Sequence, residues 1–241
     1  MSSERMPRTS VAKKTRRPRD SLSRDVILEA AEVIAVRDGL DGLTFAALGK
    51  ELHAHATSIY RHFRDKDELV LELIDVLRAK SYETPLVSSG DWREDLRFTA
   101  RAIHANYLRY PSLAQQMAVR TTRRPTEFRN VEFALDALHR AGLDDDSAVS
   151  MLRVFGNFVR AASAIEAAVH ALPSSVRATD ELAWEMEYRQ LPAEEFPNIN
   201  RLSDRLLGVG DPQVFEDSLE LILDVIELRG QEQRTARAAA G

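Results

Sequence analysis

Hydrophobic positions recur every three or four residues along most of the chain, and the first twenty residues stand out by lacking any such period. Val26, Ile27, Ala30, Ala31, Ile34 and Ala35 share one face of a predicted first helix. Ser23 is its N-cap, and Gly39, free to adopt left-handed backbone, is its stop. Asp41-Gly42 makes a turn. Thr44 then caps a short second helix through Leu52, with Phe45, Leu48 and Leu52 on its apolar side. A third short helix runs through Ile59, Tyr60 and Phe63. Asp65 caps a fourth, in which Leu69, Leu73, Val76 and Leu77 repeat to about Ala79.

Beyond Pro85 the period stays helical. Trp92 to Tyr110 carries Leu96, Ala100, Ile103, Tyr107 and Leu108 on one side, and Pro111 breaks it. A shorter helix covers Leu113 to Val119, and another runs from about Thr126 to Ala141, ending at Gly142. Asp144, Asp145 and Asp146 open a long helix to about Leu172, where carboxylates suit the positive end of the helix dipole. Residues 173–200 mix prolines, acids and aromatics and read as a loop with a short helix near Trp184 to Tyr188. A last helix is predicted over about Pro212 to Arg229, with a frayed tail after Gly230. No strand and no internal repeat is visible, so the expected fold class is all-α.

Composition narrows the function classes. The chain of 241 residues has no cysteine, which excludes disulfide scaffolds, Cys-ligated zinc and thiol nucleophiles, and points to the cytoplasm. No apolar run approaches the roughly 18–20 residues that cross a bilayer, and no apolar stretch follows the basic N-terminus as in a signal peptide. The net charge of −5 hides an asymmetry. Residues 1–66 carry 13 Lys/Arg against 9 Asp/Glu, and the remainder carries 20 against 29. Arg5, Arg8, Lys13, Lys14, Arg16, Arg17, Arg19 and Arg24 face only Glu4 and Asp20 in the first 24 residues. A basic end on an acidic body suits a chain of which one end meets phosphates.

Three helices joined by tight turns, the second and third short, give helix-turn-helix geometry, which lays its third helix in a major groove. Thr44 stands where a helix N-terminus receives a phosphate oxygen. Thr57, Ser58, Tyr60, Arg61 and His62 put compact polar groups along the reader, and Lys66 adds a positive charge at the next helix. Tyr60 and Phe63 also read as core aromatics, Phe63 the more clearly. His53, His55 and His62 lack a fourth ligand, so no metal and no cofactor is expected.

The string Leu43-Thr44, Leu48, Leu52, Ile59-Tyr60-Arg61-His62-Phe63, Lys66 and Leu69 resembles the tetracycline-repressor-like (TetR/AcrR) regulators. That resemblance implies phosphate contacts from Thr44, Tyr60, His62 and Lys66, and Ala56, Thr57, Ser58 and Arg61 at or beside base edges. Three positions depart from the family pattern: Ala46 replaces an arginine, His53 replaces the turn glycine, and His55 stands in place of a Ser or Asp cap. The basic arm is one possible compensation, by reaching an adjacent minor groove. The implied organisation is an arm over 1–20, a DNA-binding domain over 21–80 with its helix-turn-helix at 44–63, a ligand-binding and dimerisation domain over 85–230, and a flexible tail over 231–241.

Arg124-Pro125-Thr126-Glu127, Ala141-Gly142 and Gly156-Asn157-Phe158 follow the order of the tetracycline-repressor type within that family. The resemblance implies a homodimer in which the long and last helices pair with their twins, and hence an inverted-repeat operator in double-stranded DNA. Ala161, Ala162, Ala164, Ala167 and Ala168 permit close helix approach. Arg120, Asn157 and Ile165 replace the histidines and carboxylate that hold a metal–drug chelate, so the expected inducer is a small molecule other than tetracycline–magnesium. Trp92, His104, Tyr107, Met117, Arg120, Phe155, Asn157 and Phe158 are the expected pocket walls, although each also suits a core. An enzyme is the first rival reading, but no nucleophile elbow, phosphate loop or paired-His metal motif is present. A ligand-independent architectural DNA binder is the second, and it would not need so large a helical body.

Overall fold

A computed structural model describes residues 22–82, 86–206 and 211–240, and the basic arm expected over 1–20 lies outside them. Every regular element among the described residues is helical. α1 (Arg24–Gly42), α2 (Phe45–Glu51), α3 (Ala56–Ile59) and α4 (Lys66–Ala79) form the N-terminal lobe. Three of these begin where short polar side chains replace missing backbone partners. Ser23 Oγ accepts the Val26 N–H at 3.3 Å, Thr44 Oγ1 that of Ala47 at 3.1 Å, and Asp65 Oδ1 that of Glu68 at 2.8 Å. Each such cap is worth about 1 kcal/mol. α1 breaks at Gly39, whose φ of 70° and ψ of −178° are non-helical. Ile27, Ile34, Leu48, Ile59, Phe63, Leu69 and Leu73 meet in the lobe's core with no surface left to solvent.

α5 (Trp92–Arg109), α6 (Pro111–Val119), α7 (Pro125–Arg140) and α8 (Asp145–Ala171) continue the chain. Pro111, expected as a breaker, also opens α6 from its first turn, where its missing N–H costs nothing. α6 does not join the second core. Its Leu113, Ala114 and Met117 complete the core of α1–α4, and Ser112 Oγ donates to the Ala35 carbonyl at 2.8 Å. The second core is built by Leu96 and Ala100 of α5, Ala137 and Leu138 of α7, Phe155 and Val159 of α8, and the closing helix.

Two expectations are corrected here. Residues 173–200 are mostly helical: α9 (Ser174–Leu182) runs into a π turn (Ala183–Glu187) and a 3₁₀ turn (Tyr188–Gln190), and α10 (Pro197–Leu202) follows. α9 buries none of its residues and spans only nine of them. The last helix, α11 (Pro212–Ala240), runs eleven residues beyond the end read from the sequence. Gly230 is a crossing point and no stop. A Cβ there would lie 2.0 Å from the Ala141 carbonyl oxygen, so only glycine lets α11 cross the end of α7. Arg234 then donates to the Ala141 carbonyl, and Gln233 bonds the Asp144 N–H and the Ser147 hydroxyl, both at 2.7 Å.

Candidate nucleic-acid interface and ligand pocket

α3 has a single α-helical turn, but its hydrogen bonding carries on through the next residues: His62 N–H reaches the Ile59 carbonyl at 2.9 Å and Phe63 N–H the same oxygen at 3.0 Å. Ile59 and Phe63 are anchored in the core, which forces their neighbours outward. Thr57, Tyr60 and Arg61 are exposed, while Ala56, Ser58 and His62 are half-buried. Tyr60 keeps 60% of its surface and stands edge-on against Phe45, with centroids 4.6 Å apart. That contact braces the ring while most of the residue stays open to solvent. Thr44 is exposed at the start of α2, with Ala46 beside it.

The departures at the turn have structural consequences. His53 takes φ 52°, the left-handed region that a glycine would occupy without strain. His55 makes no capping bond to α3. Gly49 is what the sequence reading passed over: a Cβ there would stand 2.9 Å from the Ala54 carbonyl, so its absence lets α2 and α3 close on each other.

Two basic residues are engaged internally. Arg24 lies over the Phe63 ring at 4.2 Å, pairs with Glu68 at 2.9 Å and with Glu72, and donates to the His62 carbonyl. Its bond to Glu72 is the main reason its proton is held more tightly than usual, and Arg24 in turn holds the Glu68 carboxyl below the usual range. Lys66 Nζ donates to the Leu40 carbonyl at 2.6 Å, tying α4 to the end of α1. It remains exposed, with two further N–H groups to offer.

A cavity of about 250 Å³ opens between the end of α4 and helices α5, α7 and α8. Ile103, Val131, Ala134, Leu152, Phe155 and Val159 make its walls. Of the expected pocket residues, Tyr107, Phe155 and Asn157 line it. The other five are placed elsewhere. His104 bonds Glu166 at 2.8 Å and stacks on Phe215 at 4.0 Å, and Phe158 also stacks on Phe215, with centroids 5.5 Å apart. Met117 is fully buried in the N-terminal core. Arg120 grips Asp67 at 2.7 and 2.9 Å, and Trp92 packs on the second core. His104, Met117, Phe158 and Trp92 do pack inward, Arg120 follows the end of α6 in extended backbone, and which inward face borders space depends on packing.

Arg78, Tyr82, Asn130, Arg153 and Arg160 also line the cavity and were missed. The available signal was the spacing of Arg153, Asn157 and Arg160, four and three residues apart on one face of α8. Among the described residues, the Tyr82 and Tyr107 hydroxyls and Asn130 Oδ1 are buried without a hydrogen-bond partner. Tyr82 lies beside Asn130 and Tyr107 beside Arg78, but neither pair closes in bonding geometry. Burial pushes the Tyr107 hydroxyl up to about 12, so at neutral pH it is a donor. Unpaired buried polar atoms cost about 1–3 kcal/mol each, and a ligand that pairs them recovers that cost.

The chelate that the resemblance brings to mind does not fit these donors. Arg120 is a cation paired with Asp67, the Asn157 amide oxygen accepts from Arg160 at 2.8 Å, and Ile165 is apolar, so the three supply no imidazole or carboxylate to a cation. No group of three or more His, Cys, Asp or Glu among the described residues is arranged to hold a metal ion. No helix among them is long and apolar enough to cross a membrane.

Comparison with known proteins bears on both regions. Residues 27–73 match the bacterial regulatory proteins of the tetR family, and residues 84–229 match the tetracyclin repressor-like C-terminal domain. The HTH-type transcriptional repressor DrrR1 of Streptomyces coeruleorubidus is 28% identical, over 91% of this chain and 83% of that protein. An HTH-type transcriptional repressor of Mycobacterium tuberculosis is 32% identical over 63% of this chain, and the match spans only 60% of the relative's length. The structure of ActR from Streptomyces coelicolor in complex with actinorhodin superposes with a TM-score of 0.76 at 25% identity, covering 86% of this chain and 96% of that one. With family matches over the reader and over most of the body, this chain belongs to the tetracycline-repressor-like family of DNA-binding helix-turn-helix transcriptional regulators.

Proposed function

We propose that this chain is a homodimeric repressor that occupies an inverted-repeat operator and leaves it when a small organic molecule fills the cavity beside α4. The observation that carries this reading is the continuity of one helix: α4 begins at Lys66 beside the reader, and Arg78 in its last turn lines the cavity. In this reading residues 21–80 form the reader and 85–230 the sensing and dimerising body. The repressor sense is supported by DrrR1 and the mycobacterial relative, and the small-molecule sense by ActR with actinorhodin. The donor set around Arg120 and Asn157 argues against a tetracycline–magnesium chelate as the inducer.

A symmetric pair is supported by apolar surface on the two helices that the resemblance assigns to the interface. Val154 and Ile165 of α8 and Val214, Leu221, Val225 and Leu228 of α11 are all between 43% and 66% exposed. Covering them with a second copy removes that surface from water at about 25 cal/mol per Å². It also sets two readers for two half-sites.

Footprinting the intergenic DNA beside the gene tests the assignment, and a protected inverted repeat is the expected result. Tyr60→Ala lowers affinity for all duplexes alike, whereas Thr57→Ala and Arg61→Ala shift the preferred sequence. Leu221→Glu converts the dimer to monomer in sedimentation and abolishes tight operator binding. Wild-type behaviour from all four variants would reject both the reader face and the interface.

A further inference from the structure

Resting on the reading of the cavity as the sensor site, we propose that its ligand is an organic anion: a carboxylic acid on a flat apolar body, its carboxylate seated between Arg160, Arg78 and the Tyr107 hydroxyl. The ionisable side chains of the lining, tyrosines apart, are Arg78, Arg153, Arg160 and Glu127, three cations against one anion. Glu127 is already engaged. It accepts the Thr122 hydroxyl at 3.1 Å and the Arg123 N–H at 2.6 Å, and stands 3.7 Å from Arg78 Nη1.

The cations keep donors in hand. Arg78 uses Nη2 on the Met117 carbonyl at 2.9 Å and the Arg120 carbonyl at 3.4 Å, and its Nη1 sits too far from Glu127 for a hydrogen bond. Arg160 donates only to Asn157 Oδ1, and neither it nor Arg153 meets a carboxylate among the described residues. The fields of Arg78 and Arg160 both reach the Tyr107 hydroxyl, which is buried and unpartnered. Arg78, Arg160 and Tyr107 thus line one cavity with N–H and O–H groups that the described residues leave partly unused. Guanidinium pairs with carboxylates more strongly than with neutral oxygens. Asn130 Oδ1 is an unpaired acceptor beside Tyr82, which suits a hydroxyl or N–H on the same ligand. Ile103, Val131, Ala134, Leu152, Phe155 and Val159 make the apolar part of the lining, and the volume of about 250 Å³ fits a body of two fused rings.

The test is calorimetric titration of the full chain at pH 7 with 2-naphthylacetic acid, its methyl ester and 2-naphthaleneethanol. The acid is expected to bind at least about tenfold more tightly than the ester, as a charge-assisted pair would give. Arg160→Gln brings the acid down to the ester's affinity and leaves the ester within about twofold. Arg160→Lys keeps part of the preference, and Tyr107→Phe weakens the acid alone. Arg160 is half-buried with one amide partner, so an unchanged melting temperature without ligand is expected of its variants. Equal affinity for acid and ester, or a preference that survives both Arg160→Gln and Tyr107→Phe, overturns the anion seat. Binding of ester or alcohol without the acid leaves the cavity a ligand site and removes only its charge assignment, and binding of none removes both.

Discussion

Arg24 belongs to the most basic stretch of the sequence, yet its charge is turned inward, onto Glu68, Glu72 and the face of Phe63. Composition counted it with the phosphate-facing residues, because a charge count carries no direction. The structure makes it the fastening between α1 and α4, partly shielded from water. Arg24→Ala is expected to lower stability by about 1–3 kcal/mol in urea unfolding, by breaking charge-assisted bonds and stranding the two glutamates. The salt slope of DNA binding should stay as in the wild type. A lost phosphate contact at unchanged stability would return Arg24 to the DNA face. Lys66 teaches the complementary point. It is exposed at the start of α4, but its ammonium also holds the Leu40 carbonyl, so Lys66→Ala mixes a structural effect with any electrostatic one. Tyr60, braced only by Phe45, is the cleaner probe.

Among the elements, those with a cap and a buried stripe were legible. Ser23, Thr44, Asp65 and Asp144 cap the helices whose starts they were read to mark, and Gly39 and Gly142 have the positive φ expected of helix ends. Gly230 carries the same letter and does the opposite, since nothing local distinguishes a glycine that ends a helix from one that lets two helices touch. Gly230→Ala gains up to about 1 kcal/mol of helix propensity but drives a methyl into the Ala141 carbonyl. The net expectation is a loss of about 1–3 kcal/mol, read from the urea midpoint. α5 and α11 are joined along their length by Arg93, Arg97 and Arg101 against Glu216, Glu220 and Glu227, partners over a hundred residues apart that no local pattern pairs. The bonds from Arg97 and Arg93, led by Arg97, draw Glu220 down to about 2 from 4.5 against the opposing effect of its partial burial. A carboxylate depressed in this way stabilises the fold above pH 4.5 and loses that contribution as the pH falls toward 2. The melting temperature should therefore drop through that window, and Arg97→Gln should flatten the drop.

At the scale of the molecule, the all-helical class and the reader were visible in the sequence, because both follow from local period and from a compact motif. The cavity was visible only in part. Tyr107, Phe155 and Asn157 were found, but Arg78, Tyr82 and Asn130 come from a helix end, a connecting residue and a separate helix that only packing brings together. Nor does the linear order reveal how the two lobes meet, since α6 lies beyond the apparent boundary near residue 80 and still finishes the first core. Tyr107, Tyr110, Leu113, Ala114 and Met117 are all buried among side chains of α1–α4. A fragment cut after Lys80 would leave that hole facing water, forfeiting about 1.5–3 kcal/mol for each large side chain removed. Circular dichroism of such a fragment should show a chain without a cooperative melt, while the intact protein should give one calorimetric peak in place of two. The groove-reading end is thus no portable module: it borrows its floor from the sensing half, and fusing it to a foreign body would require carrying α6 along.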